Sequence, residues 1–130
     1  MPIQLEIIPL ERLIVGVGRG QVTLQEYQDF LVQVMESKVM HYRKLIDITM
    51  AERAVLNREQ VLAIEGRLAA FAEKFPRGAL AIVVDAARID NAQLFKALAA
   101  KDRPVEIFTS IHDARKWLRV QPVIEPAAKA

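Results

Sequence analysis

Lys44-Leu-Ile-Asp-Ile-Thr49 is a short apolar run closing on polar residues, the pattern of a buried strand whose carboxyl end reaches a loop. Its reading decides the fold because helical signals stand on both sides of it. Upstream, Thr23-Leu-Gln-Glu26 is a capping-box pattern, in which a hydroxyl and a carboxylate satisfy orphan amides at a helix start. Leu24, Tyr27, Leu31 and Val34 then recur at helical spacing, which predicts a helix to about Lys38. Downstream, Met50 to Leu56 reads as a loop. Asn57, a good N-cap with Gln60 three residues on, opens a long helix to about Phe75.

The same reading extends outward. Ile3 to Ile8 and Arg12 to Val17, separated by Pro9-Leu10-Glu11, predict a β-hairpin. Pro76-Arg-Gly78 breaks the long helix, and the almost purely apolar Ala79 to Val84 predicts a central strand covered on both faces, ended by Asp85. Asp90 with Gln93 predicts the cap of a third helix carrying Leu94, Phe95 and Leu98. Pro104 precedes a strand from Val105 to Phe108, and Ser110-Ile-His-Asp113 is a second capping box, opening a final helix with Ala114, Trp117 and Leu118. From Gln121 onward, Pro122, Pro126 and the alanines show no burying periodicity, which predicts a loose tail. The expected order is β-β-α-β-α-β-α-β-α. It describes an α/β domain over residues 1–120 followed by a tail over 121–130, with a mixed sheet of about five strands packed with four helices and right-handed crossovers between parallel strands.

Composition agrees with one folded unit and excludes several chemistries. The chain has 130 residues, 52% apolar and 26% charged, enough to bury one core. Its net charge is only +2, and the basic residues alternate with acids, as in Glu36/Lys38, Glu73/Lys74 and Asp102/Arg103. With no basic block, nucleic-acid binding is not expected; only folding could gather Arg43, Lys44, Arg53 and Arg58. Without cysteine there is no disulfide framework, thiolate nucleophile or Cys-based metal site. No basic-apolar leader opens the sequence and no stretch approaches the ~18 apolar residues of a membrane span, so the expected location is the cytoplasm, with peripheral membrane contact left open.

Three stretches, Lys44-Leu-Ile-Asp-Ile-Thr49, Ala81-Ile-Val-Val84 and Val105-Glu-Ile-Phe-Thr-Ser-Ile-His-Asp-Ala-Arg-Lys-Trp-Leu118, together resemble the SpoIIAA-like family of small bacterial proteins. The resemblance spans about residues 5 to 118 and implies a STAS-like fold, related to that of CRAL-TRIO lipid-binding domains. Anti-sigma-factor antagonists of the STAS type switch by phosphorylation of a serine in an Asp-Ser-Ser-Gly-like loop. Here Thr49 is followed by Met50-Ala-Glu-Arg, so that motif is missing.

Other candidate motifs fall short of a machine. Gly16-x-Gly18-x-Gly20 has the wrong spacing for a dinucleotide loop, with Gln21 where the third glycine belongs, and reads instead as a flexible strand end. Asp47, Thr49, Asp85, Thr109 and Ser110 lie near strand carboxyl ends, where open α/β sheets bind ligands, and also suit caps and turns. His41 and His112 lack a second ligand at metal-binding spacing, and Ser37 and Ser110, the only serines, lack a nucleophile elbow. No catalytic residue, metal or cofactor is expected.

The helix from Asn57 to Phe75 exceeds what a surface helix needs. Beside the stripe Val61, Ile64, Leu68, Phe71 and Phe75 it carries Leu62, Ala63 and further alanines, a wide apolar arc. It covers a deep core, meets a partner subunit or lines an apolar pocket. The expected function is therefore a non-enzymatic STAS-like module that binds an apolar small molecule or lipid, with Met50, Val55, Leu68, Phe71 and Phe75 as ligand-binding candidates. Asp47, Thr49, Asp85 and Ser110 are the polar candidates at the strand ends. The alternative is a regulatory protein-interaction module of the anti-sigma-factor antagonist type, and a homodimer is expected in either case.

Overall fold

The computed structural model describes residues 3–53, 58–72, 76–99 and 103–125, without the side chains at 53, 61, 67–72 and 99. Its elements run β1 (Ile3–Ile8), β2 (Leu13–Gln21), α1 (Leu24–Glu36), β3 (Arg43–Arg53), α2 (Arg58–Ala72), β4 (Leu80–Val83), α3 (Ile89–Ala99), β5 (Val105–Phe108) and α4 (Ile111–Arg119). The chain is thus α/β, and its strands form one five-stranded mixed sheet in the order β1-β2-β3-β4-β5. β1 and β2 pair antiparallel, and every later pair is parallel.

That order dictates where the helices go. Each parallel connection steps to the next strand in the same direction, so crossovers of one hand put α1, α2 and α3 on the same face. Phe30 and Val34 of α1, Ile64 of α2 and Ala92 of α3 share one core with Ile14 and Ile82 of the sheet. On the opposite face Ala114 and Leu118 of α4 cover Leu45, Ala81 and Val83. The pleat alternates along each strand between these two cores, which is why all of β4 is buried.

Local signals account for the helix ends. Thr23 Oγ1 accepts from the Glu26 amide at 3.3 Å and donates to Glu26 Oε1 at 3.1 Å. Ser110 accepts from the Asp113 amide at 3.3 Å. Both serve as N-caps, satisfying amides that the first turn leaves without intrahelical partners.

Three expectations are corrected. Met50 to Arg53 is not a loop: β2 continues to Gln21, and Arg19, Gly20 and Gln21 pair with Met50, Ala51 and Arg53 across two register shifts. The stretch pairs with β2 on one side, the Ala51 and Glu52 carbonyls also accept from Arg88, and positions 54–57 lie outside the described residues. For the same reason Gly16 and Gly18 belong to a paired strand and not to a flexible end. A Cβ at Gly16 would stand 3.0 Å from both Ile46 Cδ1 and Phe30 Cε2, so the missing side chain admits α1 close to the sheet. The third helix also begins earlier than Asp90: Asp85 leaves β4 extended, a 3-10 turn at Ala86–Arg88 runs directly into α3, and Asp90 sits in the first turn. A carboxylate is favourable in a first turn as well as at a cap, so the residue type alone did not separate the two positions.

Candidate apolar cavity and its charged end

Strand alternation builds the site. Lys44, Ile46 and Ile48 of β3 and Leu80 and Ile82 of β4 point to the face carrying three helices. Between them and α1–α3 lies a cavity of about 130 Å³, similar to the ~150 Å³ apolar cavity that accommodates benzene in an engineered core. Its body is hydrocarbon, with Phe30 and Phe95 facing Ile46, Ile48, Ile82 and Val84. From Lys44 to Ile48 the strand rises about 13 Å, so the walls run along the stretch of β3 that pairs with β4.

One end is charged. Lys44 is the second residue of β3, Arg77 precedes β4 and Arg103 precedes β5, which brings three cations to the amino ends of adjacent parallel strands. Glu65 reaches them from α2. Arg77 Nη2 lies 3.1 Å from Glu65 Oε2 and Arg77 Nη1 donates to Glu65 Oε1 at 3.3 Å, while Arg103 Nη2 is 4.0 Å from Glu65 Oε1. Lys44 Nζ donates to the Met40 and Tyr42 carbonyls, the latter at 2.9 Å. All four residues are buried. Charged groups in such a place are held only where partners compensate for lost hydration.

At the other end Arg88 donates to the carbonyls of Ile48 and Glu52, each at 3.0 Å, and of Ala51, and lies 3.8 Å from Asp85. It fastens β3 across the stretch that carries the register shifts. Tyr27 lines the cavity too; burial pushes its phenol up to about 12, with Arg88 acting in the opposite direction.

The structure distributes the sequence candidates differently. Met50 is 61% exposed on β3, where its sulfur accepts from Arg19 at 3.2 Å, and it does not line the cavity. The continued strand removes the basis for placing it in a loop over the cavity. Val55 and Phe75 lie outside the described residues, as do the side chains of Leu68 and Phe71 on α2. Of the wide arc, Ile64 is buried against the cavity, whereas Leu62 and Ala63 are exposed.

The polar candidates do share the carboxyl rim of the sheet, each with a local partner. Asp47 is buried on the face that carries α4 and accepts from Thr49 Oγ1 at 2.7 Å and from the Thr49 amide at 2.9 Å. Asp85 pairs with Arg88, and Ser110 caps α4. Among the described residues no hydrogen bond or ion pair joins these three sites to one another, and no group of three His, Asp or Glu side chains is placed to hold a metal ion.

Sequence reasoning missed Lys44, Glu65, Arg77 and Arg103 as site residues. For Lys44 a signal existed, since period-two alternation assigns it to the face of Ile46 and Ile48. Glu65 follows a stripe residue, and Arg77 and Arg103 stand in connections, where a charge ordinarily signifies solvent. No family model matches this chain, and neither a curated protein nor a solved structure matches it. Among the described residues no helix is long and apolar enough to cross a membrane.

Proposed function

We propose that this domain is a non-enzymatic STAS-like module of the SpoIIAA-like type that binds an apolar small molecule, or the chain of a lipid, between the sheet and α1–α3. The observation that carries this reading is the hydrocarbon-walled cavity of about 130 Å³ inside the three-helix face. Apolar surface removed from water there stabilises a complex by about 25 cal/mol per Å² before the costs of association. A well-packed core leaves few voids larger than a water molecule, so a space of this size is where a ligand gains most. A binding role also accords with the rim residues Asp47, Asp85 and Ser110, each of which has a local structural task.

The test is a native mass spectrum and an organic extract of the purified protein, followed by thermal unfolding with fatty acids of graded length. The expected result is a co-purifying small molecule or a rise in the unfolding midpoint that saturates with ligand. A protein that carries nothing and shifts with none of these ligands is not a module of this kind.

A further inference from the structure

We infer that the ligand is a small uncharged molecule bearing one hydroxyl or carbonyl group, and that the side-chain amide of Asn91 binds that group. This inference rests on the apolar-binding reading and adds the ligand's polar function and the residue that selects it. The 3-10 turn and α3 line the cavity through Arg88, Asn91, Ala92 and Phe95, which recur at the i, i+3, i+4 and i+7 positions of one helical face. Ala92 and Phe95 belong to the hydrocarbon wall, and Asn91 is the neutral amide between them and Arg88. Asn91 is partly buried, and among the described residues its side chain has no hydrogen-bond partner.

The charged lining groups stand at both ends of the cavity and are engaged there. Arg77 and Arg103 share Glu65, Lys44 donates to the Met40 and Tyr42 carbonyls, and Arg88 donates to those of Ile48, Ala51 and Glu52. Tyr27 has a partner as well. An ionic head would give up its hydration beside charges that already hold partners, which disfavours it. A neutral head loses less, and one amide suffices to receive it. Asparagine offers two N–H donors and an acceptor oxygen, so it serves a hydroxyl in either sense and a carbonyl through its N–H. In a site walled by hydrocarbon, one such group fixes the ligand's orientation and supplies its specificity. The volume sets the size of the body at about six carbons, that of a benzene ring or a short alkyl chain.

The experiment measures phenol, toluene and benzoate by isothermal titration on the wild-type protein and on Asn91→Leu. Phenol and toluene have nearly the same shape and differ by a hydroxyl in place of a methyl. Asn91→Leu is expected to weaken phenol by about fivefold or more, because the enclosed hydroxyl then has no partner, while toluene stays within about twofold or binds tighter. Benzoate is expected to bind the wild type about tenfold weaker than phenol or worse, through the lost hydration of its carboxylate. Should Asn91→Leu not fold, Asn91→Ala makes the same comparison. Phenol binding that the folded variant does not weaken, or a loss shared equally by toluene, overturns the assignment of Asn91 and leaves the apolar-binding reading standing. Benzoate binding as tight as that of phenol overturns the uncharged head. Binding of neither phenol nor toluene by the wild type removes both readings together.

Discussion

Arg77 and Glu65 meet in a two-point ion pair, at 3.1 and 3.3 Å, with the Arg77 side chain 2% and the Glu65 side chain 11% exposed. The pair joins the connection before β4 to α2, and Arg103, ahead of β5, stands 4.0 Å from the same carboxylate. Glu65 is thus the shared partner of two guanidiniums, and the consequences of removing either side are unequal. Glu65→Leu leaves two buried cations beside each other and is expected to cost about 3–5 kcal/mol, whereas Arg77→Met leaves Glu65 with Arg103 and costs less. Urea unfolding of the two variants, compared with the double variant, measures the order. The double variant is expected to be more stable than Glu65→Leu.

The glycines divide by what a Cβ would meet. Gly66 lies within α2 with nothing near, so Gly66→Ala is expected to raise stability by about 0.5–1 kcal/mol through helix propensity. Gly16→Ala pushes against Phe30 and Ile46 and is expected to cost about 1–3 kcal/mol. At Gly78 a Cβ would overlap the Tyr42 and His41 carbonyl oxygens, which are backbone and cannot rotate away, so Gly78→Ala is expected to be the most damaging of the three. Thermal unfolding midpoints give the order directly.

Filling the cavity separates binding from folding. Ala92 on α3 lines the cavity and is buried in its core, and Ala92→Leu adds hydrocarbon where space exists. Cavity-filling changes commonly stabilise by about 0.5–2 kcal/mol, so the variant is expected to hold or gain stability while losing ligand-induced thermal shifts. A variant that still responds to ligands as the wild type does would place the ligand outside this cavity.

Tyr27 gives the domain an alkaline limit. Its phenol titrates near 12 in the folded protein, against 10.0 for the ordinary group, because burial disfavours the phenolate. The folded state therefore holds this proton more tightly than the unfolded one. The associated stability is fully present below pH 10 and is lost as pH rises toward 12. Stability measured across that window is expected to fall less in Tyr27→Phe than in the wild type. The phenolate absorbance of a Tyr42→Phe variant, which leaves Tyr27 as the only tyrosine, follows the proton itself.

Much of the fold was legible in the sequence because its signals are local. The hairpin strand Ile3–Ile8, the strand Val105–Phe108 and the N-caps Thr23 and Ser110 stand where alternation, proline and capping chemistry place them. What was not legible depends on partners distant in the chain. Met50 to Arg53 is polar enough to read as a loop and becomes strand only because β2 runs on beside it. The charged end of the cavity is assembled from four segments, at Lys44, Glu65, Arg77 and Arg103, that no window of sequence contains together. A buried arginine in a connection has the same appearance in sequence as a solvated one, and only the parallel pairing of β3, β4 and β5 shows which it is.

The sheet order β1-β2-β3-β4-β5 has a consequence for how the chain is made. Every strand docks beside the one synthesised before it, and none has to be inserted between two strands already joined. The growing edge is always the newest, and each addition closes a loop only as long as one helix and its turns. Assembly can therefore keep pace with translation from the amino terminus, with α4 arriving last to shield the second face.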